Sequence, residues 1–415
     1  MGDQEHTMTP SQDSTLARLR QLAHALIDPS KATVAIPPES PRTGFWFGGG
    51  NTVLGPDGKL YLCGRYRSAG DSRTGLDLGD RGRELAVFAS DPADLPSSAD
   101  ESSAASGSVL RWTKVLSLDK AAVAPEGYKV LSIEGAALRF GPDGVELYIS
   151  SEKERPYPEP VADFRKPGTG IWTIERLAAP SLEELRTAKP ETIVSSSKPA
   201  TLQIKDPWLA DGPDGTLFLF FCHHSFNWSS SGTGCITLTP DGRAAGVPLF
   251  DCWPRGPAWD VAITRGTSVM PLPVTLPAAG LVAGTTSGFP GELFQAAGTP
   301  APGAMITGLA FYDGGECLRN LDEHARAVKR PRGYSCEELG GLGCILDGDP
   351  RQFVRLSDTF AEFISPDGTG CLRYVDVLAA PAAYIATWQQ SRPDGSQALM
   401  INVLGMEEAA RILAD

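Results

Sequence analysis

The sequence predicts an all-β protein, a five-bladed β-propeller entered through a short N-terminal helical lead. Three observations carry the prediction. Glycine (45) and proline (34) punctuate the 415-residue chain at short intervals, as turns between strands do. Between them lie short runs rich in Val, Ile, Leu, Phe, Tyr and Thr, the composition of strands. The tripeptide Pro-Asp-Gly recurs six times, beginning at Pro56, Pro142, Pro213, Pro240, Pro366 and Pro393. Proline presets φ, aspartate caps the turn locally, and glycine takes φ > 0.

Residues 1–43 form the lead, with leucines and alanines at helical spacing over 14–28. The turns at Pro56, Pro142 and Pro213 each run into an aromatic, β-rich stretch, so each predicts a hairpin from a first strand to a second. A four-stranded blade needs roughly 40 to 50 residues, more where loops are decorated. This places blades near 44–100, 107–178, 195–250, 256–316 and 353–405 of one catalytic domain, 44–405. Residues 181–187 read as a helical turn, 97–108 as a solvated Ser/Ala-rich loop, and 322–346, long and Gly-rich, as a lid or insertion. Residues 406–415 form a helical tail. A pair of β-sandwiches is the competing architecture; the repeat, in phase with a strand–turn–strand unit, favours the propeller.

Charge and motif content exclude several classes. Basic residues number 37 against 50 acidic, a net charge of −13, so there is no basic excess for a nucleic-acid partner. No run of about 18 apolar residues occurs, so no membrane-spanning helix is expected. Residues 1–14 are polar and lack the apolar core of a secretion signal, which predicts a cytoplasmic chain. Eight scattered cysteines contain no Cys-x-x-Cys pair, which argues against a zinc ribbon and for reduced thiols. Gly48-Gly49-Gly50 lacks the Gly-Lys-Ser/Thr of a phosphate loop, and no Gly-x-Ser-x-Gly elbow is present.

The first strand of each blade lines the axis of a propeller, so polar residues at those strand starts are the candidates for chemistry. Blade one offers Gly49, Gly50 and Asn51; blade two, Glu134; blade three, Lys205-Asp206-Pro207-Trp208; blade four, Asp260 and then Arg265; blade five, Arg373 and Tyr374. Polar groups in otherwise buried strands must be paired or used, so together they predict one axial polar pocket. Arg65 and Arg67 alternate on a strand and share a face, with Arg73 beyond them. They suit a carboxylate, a phosphate or sugar hydroxyls, or they brace a loop through Asp71, Asp77 and Asp80. His223 and His224 are adjacent on a strand and face opposite ways, so no metal site is expected there; one of them is a candidate sugar ligand or proton relay. Glu337, in the insertion, is a reserve acid. Asp313 and Glu316 are read as turn residues. Trp208 and Trp388 are candidate sugar-stacking faces. No cofactor is required, although a calcium ion on the axis is compatible with the sequence.

Lys205-Asp206-Pro207, followed by a turn and an aromatic strand, resembles the Asp-Pro strand motif of the five-bladed propeller glycosidases: arabinanases and xylosidases, invertases and levansucrases, and mannosyl phosphorylases. As architecture the resemblance spans residues 44–404. It implies acidic residues on the first strands of the early blades: a nucleophile or base, a general acid, and one that tunes the acid. This sequence departs from the pattern with Asn51 in blade one and Glu134 in blade two. Glycoside cleavage needs one carboxylic acid to protonate the leaving oxygen and one carboxylate as nucleophile or base. The expectation is a glycoside hydrolase acting on small oligosaccharides. Asp206 and Glu134 form the pair, with Asp260 in support. Asn51, Arg65, Arg67, Arg73, Trp208, His223, His224, Arg265, Arg373 and Trp388 hold substrate. The arginine cluster keeps open a phosphorylase or lyase acting on an acidic or phosphorylated sugar. A non-catalytic propeller that binds a sugar or a protein is the third reading.

Overall fold

A computed structural model describes residues 10–68, 82–91, 110–278, 281, 300–315 and 338–414. All six Pro-Asp-Gly glycines, Gly58, Gly144, Gly215, Gly242, Gly368 and Gly395, take the positive φ that the turn requires. Five of the six turns join neighbouring antiparallel strands, and the chain between them folds into sequential four-stranded units.

A short strand, β1 (Thr33–Ile36), precedes the first unit. Unit one has a broken first strand, β2 (Trp46–Gly48) and β3 (Thr52–Leu54), then β4 (Leu60–Arg67), β5 (Glu84–Ser90) and β6 (Thr113–Asp119). Unit two is β7 (Val130–Gly141), β8 (Gly144–Lys153), β9 (Ile171–Ala179) and β10 (Glu191–Val194). Unit three is β11 (Gln203–Asp211), β12 (Leu217–His224), β13 (Ser231–Leu238) and β14 (Ala244–Trp253). Unit four is β15 (Ile263–Pro277), β16 (Met305–Gly315), β17 (Leu339–Leu346) and β18 (Asp349–Arg355). Unit five is β19 (Leu372–Ala379), β20 (Ala383–Ser391) and β21 (Gln397–Gly405), and its fourth strand is β1, antiparallel to β21. The first strands touch in order, β3 to β7 to β11 to β15 to β19, and β19 returns to β3. The ring is closed by pairing the start of the chain with its end.

Two α-helices appear among the described residues, α1 (Pro10–Leu26) and α2 (Met406–Ala414). The apolar face of α1, with Leu19, Leu22 and Leu26, packs with Ala409 and Leu413 of α2 against Met270, Phe311 and Trp388. Trp388, expected as a sugar face, is therefore core, with its indole N–H donated to Gln390 Oε1 at 2.8 Å. No helix among the described residues is long and apolar enough to cross a membrane.

Several boundaries differ from the sequence expectation: β10 completes unit two beyond the expected end of blade two, β18 belongs to unit four, and three further segments change place. Residues 113–119, assigned to blade two, pair with β5 and complete unit one. The strand β1, assigned to the lead, completes unit five. Residues 339–346, read as lid or insertion, are the buried strand β17. Its glycines mislead because they clear aromatic rings. A Cβ on Gly341 would lie 2.2 Å from the Tyr312 ring, and one on Gly343 2.1 Å from Phe353. Residues 322–337 of that segment, including Glu337, lie outside the described residues, as do Arg73 and residues 97–108.

Candidate active site

Every first strand breaks register at the same level. Unit one has the Gly49–Asn51 gap between β2 and β3. Units two to five have irregularities between Ile133 and Ala136, Lys205 and Trp208, Gly266 and Ser268, and Arg373 and Asp376. A bulge re-aims the side chain at its crest. Asp206 (φ 51°) and Tyr374 (φ 52°) occupy two of these crests in the left-handed region, which non-glycine residues rarely enter. The crests surround an axial pocket whose wall includes Asn51, Ala136, Asp206, Arg265, Asp313 and Tyr374, one or more from each unit.

Close backbone approach sets Asp206. The Gly135 N–H donates to Asp206 Oδ1 at 3.1 Å. Ser150 Oγ donates to the Gly135 carbonyl at 3.0 Å and accepts from the Asp206 N–H at 3.2 Å. The Ala136 N–H donates to the Gly49 carbonyl at 2.8 Å, locking unit two to unit one at the same level. Asn51 is used in this bracing as well: its side chain donates to the Leu138 carbonyl at 3.0 Å and accepts from the Leu138 N–H at 2.8 Å.

Asp313 enters the pocket from β16, directly opposite Arg265 in the β15–β16 register. Its Oδ1 accepts the Tyr374 N–H at 2.9 Å, and its Oδ2 lies 3.4 Å from Arg265 Nη2. Burial pushes this carboxyl up to about 7; Arg265 opposes the rise and the Glu338 carboxylate adds to it. Asp313 thus keeps its proton to near neutral pH.

Around the pocket lies a layer of buried charge. Glu134 pairs with Arg65, and Arg67 and Lys205 each stand 3.7 Å from it. Burial alone would raise Glu134, but Arg65, then Arg67, Lys205 and Arg373, hold it well below the usual carboxylate range. A carboxylate so held does not supply a proton near neutral pH, so the expected acid role for Glu134 does not fit its surroundings. Glu338 pairs with Arg265 at 2.7 Å and with Arg373. Arg373 and Arg67 both stack on Trp46, their Cζ atoms 4.2 and 4.6 Å from its ring centre.

The remaining expected residues divide. Trp208 lines the pocket but stacks on Phe220 at 4.2 Å, as part of an aromatic core. His224 faces the charge layer, and burial, then Lys205 and Arg265, drives its imidazole well below the ordinary value. His223 faces the other way, 3.3 Å from Asp251 and edge-on to Phe250. Asp260 is not in the pocket. It is fully buried beside Arg355, with Nε 2.8 Å from its Oδ2. Two residues of the site, Asp313 and Glu338, lie outside the candidates that the sequence singles out, while Lys205 and Tyr374, named there as strand-start residues, take the parts of ion-pair partner and pocket wall. Asp313 was read as a turn residue, yet it ends the β-rich run of β16. It lies on a second strand, outside the first-strand starts where polar residues stand out in the sequence.

Among the described residues no three His, Cys, Asp or Glu side chains converge to hold a metal. A calcium ion on the axis would meet Asp206 and Asp313 with Arg265 beside them, a poor match to the six to eight oxygens that calcium takes.

No protein-family model matches the sequence, and no curated protein matches it. Solved structures do show similarity over about nine-tenths of the chain. A thermostable family-43 glycoside hydrolase is 12% identical with a TM-score of 0.46, covering 90% of each chain. The GH43_1 enzyme from Xanthomonas citri complexed with xylotriose is 11% identical with a TM-score of 0.46, covering 93% of each. An endo-arabinase from Bacteroides thetaiotaomicron is 10% identical with a TM-score of 0.44, covering 90% of this chain and 97% of that one.

Proposed function

We propose that the five units are the blades of a five-bladed β-propeller and that the chain is a glycoside hydrolase acting on small oligosaccharides in the axial pocket. One observation carries the reading: Asp206 and Asp313 line a single pocket. Burial, which pushes the Asp313 carboxyl up to about 7, supports it. Two carboxyl groups in unlike environments divide the work of acid and base. Asp313 protonates the leaving oxygen. Asp206, oriented by the Gly135 N–H, acts as nucleophile or as base toward water. Glu134 and Glu338 are positioning residues that fix the guanidinium groups around the pair. Asp260 has no part in this reading.

The experiment is turnover of aryl furanosides, aryl pyranosides and oligosaccharides by wild type, Asp206→Asn and Asp313→Asn, with and without phosphate. Wild-type release, reduced about 10²–10⁴-fold in each variant, is the expected result. Undiminished turnover in both variants would remove the assignment. Turnover that requires phosphate would make the enzyme a phosphorylase.

A further inference from the structure

We propose that the sugar accepted by this pocket carries an oxyanion, a carboxylate or phosphate on the ring, which docks among Arg65, Arg265 and Arg373. The inference rests on the glycosidase reading and names its substrate class. The three guanidinium groups come from β4, β15 and β19, hence from three different units, and they gather around one ring. Their Cζ atoms lie 6.0, 5.9 and 5.0 Å from the centre of Tyr374. Tyr374 and Arg265 both line the pocket. Arg65 also lies against the wall: a Cβ built on pocket-lining Gly49 would be 3.8 Å from Arg65 Nε.

All three arginines are almost wholly buried, at 0%, 5% and 1% exposure. Each uses part of its fork on a carboxylate: Arg65 on Glu134, Arg265 and Arg373 on Glu338. Other nitrogens of the three forks are not used. Arg65 Nε and Nη1, Arg265 Nε, and Arg373 Nε and Nη2 are buried without a hydrogen-bond partner among the described residues. Buried donors are normally satisfied, and arginine offers only donors. The ion pairs with Glu134, Asp313 and Glu338 leave these five nitrogens unmet. An oxyanion answers several of them at once, with the planar geometry that guanidinium matches and the charge it favours. A hydroxyl brings no charge to the cluster.

The test is calorimetric titration of the whole protein at fixed ionic strength. The probes are a panel of uronic acids, their neutral parent sugars, the corresponding sugar phosphates and inorganic phosphate. An acidic sugar or sugar phosphate should bind at least about tenfold more tightly than its neutral parent. Arg65→Lys and Arg373→Lys, which keep the charge and lose the fork, should shrink that preference. Equal affinity for charged and neutral sugars, or no binding of any charged sugar, overturns the proposal. So does tight binding of inorganic phosphate without preference for a charged sugar, which would assign the cluster to a phosphate co-substrate. If a variant fails to fold, the wild-type comparison decides alone. An acidic sugar that binds preferentially but is never cleaved as a glycoside would sink the hydrolase reading and leave the anion site standing.

Discussion

The Tyr374 N–H donates to Asp313 Oδ1 at 2.9 Å, so a bulge in the first strand of unit five orients a carboxyl carried by the second strand of unit four. The bond fixes one oxygen of Asp313, and Arg265 lies beside the other. Burial keeps the proton on the group against both of these influences.

The pH dependence of activity follows. A general acid works only while protonated, so kcat/KM should fall as pH rises through about 7, the value to which Asp313 is pushed. Stability has the same sign. The unfolded chain releases this proton near ~4, the folded chain near 7, so the folded state holds more protons between the two values. Stability on this account is complete below the unfolded value and declines as pH rises toward 7. Asp376, also raised to about 7 by burial, contributes in the same direction. Asp313→Asn should flatten part of the decline in Tm with pH, and Asp376→Asn a further part. Melting curves from pH 4 to 8 decide; an unchanged slope in both variants refutes the linkage.

Gly135 is the point where unit two approaches unit three, and space is its reason for being glycine. A Cβ there would lie 2.6 Å from Asp206 Oδ1, 3.0 Å from Asp206 Cα and 3.1 Å from the Gly49 carbonyl. Gly135→Ala should therefore displace Asp206 and lower kcat by an order of magnitude or more, since catalytic geometry tolerates little misplacement. Activity and Tm measured together would separate the outcomes. Wild-type kcat in the folded variant would show that the approach does not set Asp206.

Asp260 offers the contrasting case. It is buried against Arg355 and lies outside the pocket. Its removal leaves a buried guanidinium without its carboxylate, which costs on the order of 3–5 kcal/mol. Asp260→Ala should lower the denaturation midpoint clearly while the folded fraction retains its turnover number. A selective loss of kcat at unchanged stability would return Asp260 to the active site.

The legible part of this fold was its punctuation. The Pro-Asp-Gly turns needed no tertiary information, because proline, aspartate and glycine each fulfil a local backbone requirement, and the turns marked hairpins at β3–β4, β7–β8 and β11–β12. Asp206, Arg65, Arg265 and Arg373 were legible for a related reason: charged residues beside buried strands need a purpose. Tertiary pairing was not legible. Glu134 looked like a free acid, since nothing local shows Arg65, Arg67 and Lys205 converging on it from two other units. Asp313 is opposite Arg265 only once β15 and β16 are in register. The glycines of β17 resembled a loop because the rings they clear lie on other strands.

The closure by β1 makes a prediction that no local pattern would suggest. Its register with β21, Thr33 opposite Ile401 and Val34 opposite Met400, supplies the fourth strand of unit five. Ile36 adds a buried side chain beside Phe47 and Leu399. A chain that begins after residue 36 loses α1 as well, so a cleaner variant is Val34→Pro, which introduces a residue that cannot donate to the ladder and is poorly tolerated within a sheet. Unit five would then keep only the Trp46–Gln397 bridge between β2 and β21 and present the rest of β21 as an unpaired edge, a template for association between chains. We expect a lower Tm and concentration-dependent self-association, read by light scattering, with the axial carboxyl pair chemically intact. A monodisperse variant with wild-type Tm would show that the ring holds without its terminal strand, and that the contacts between neighbouring first strands are sufficient to close it.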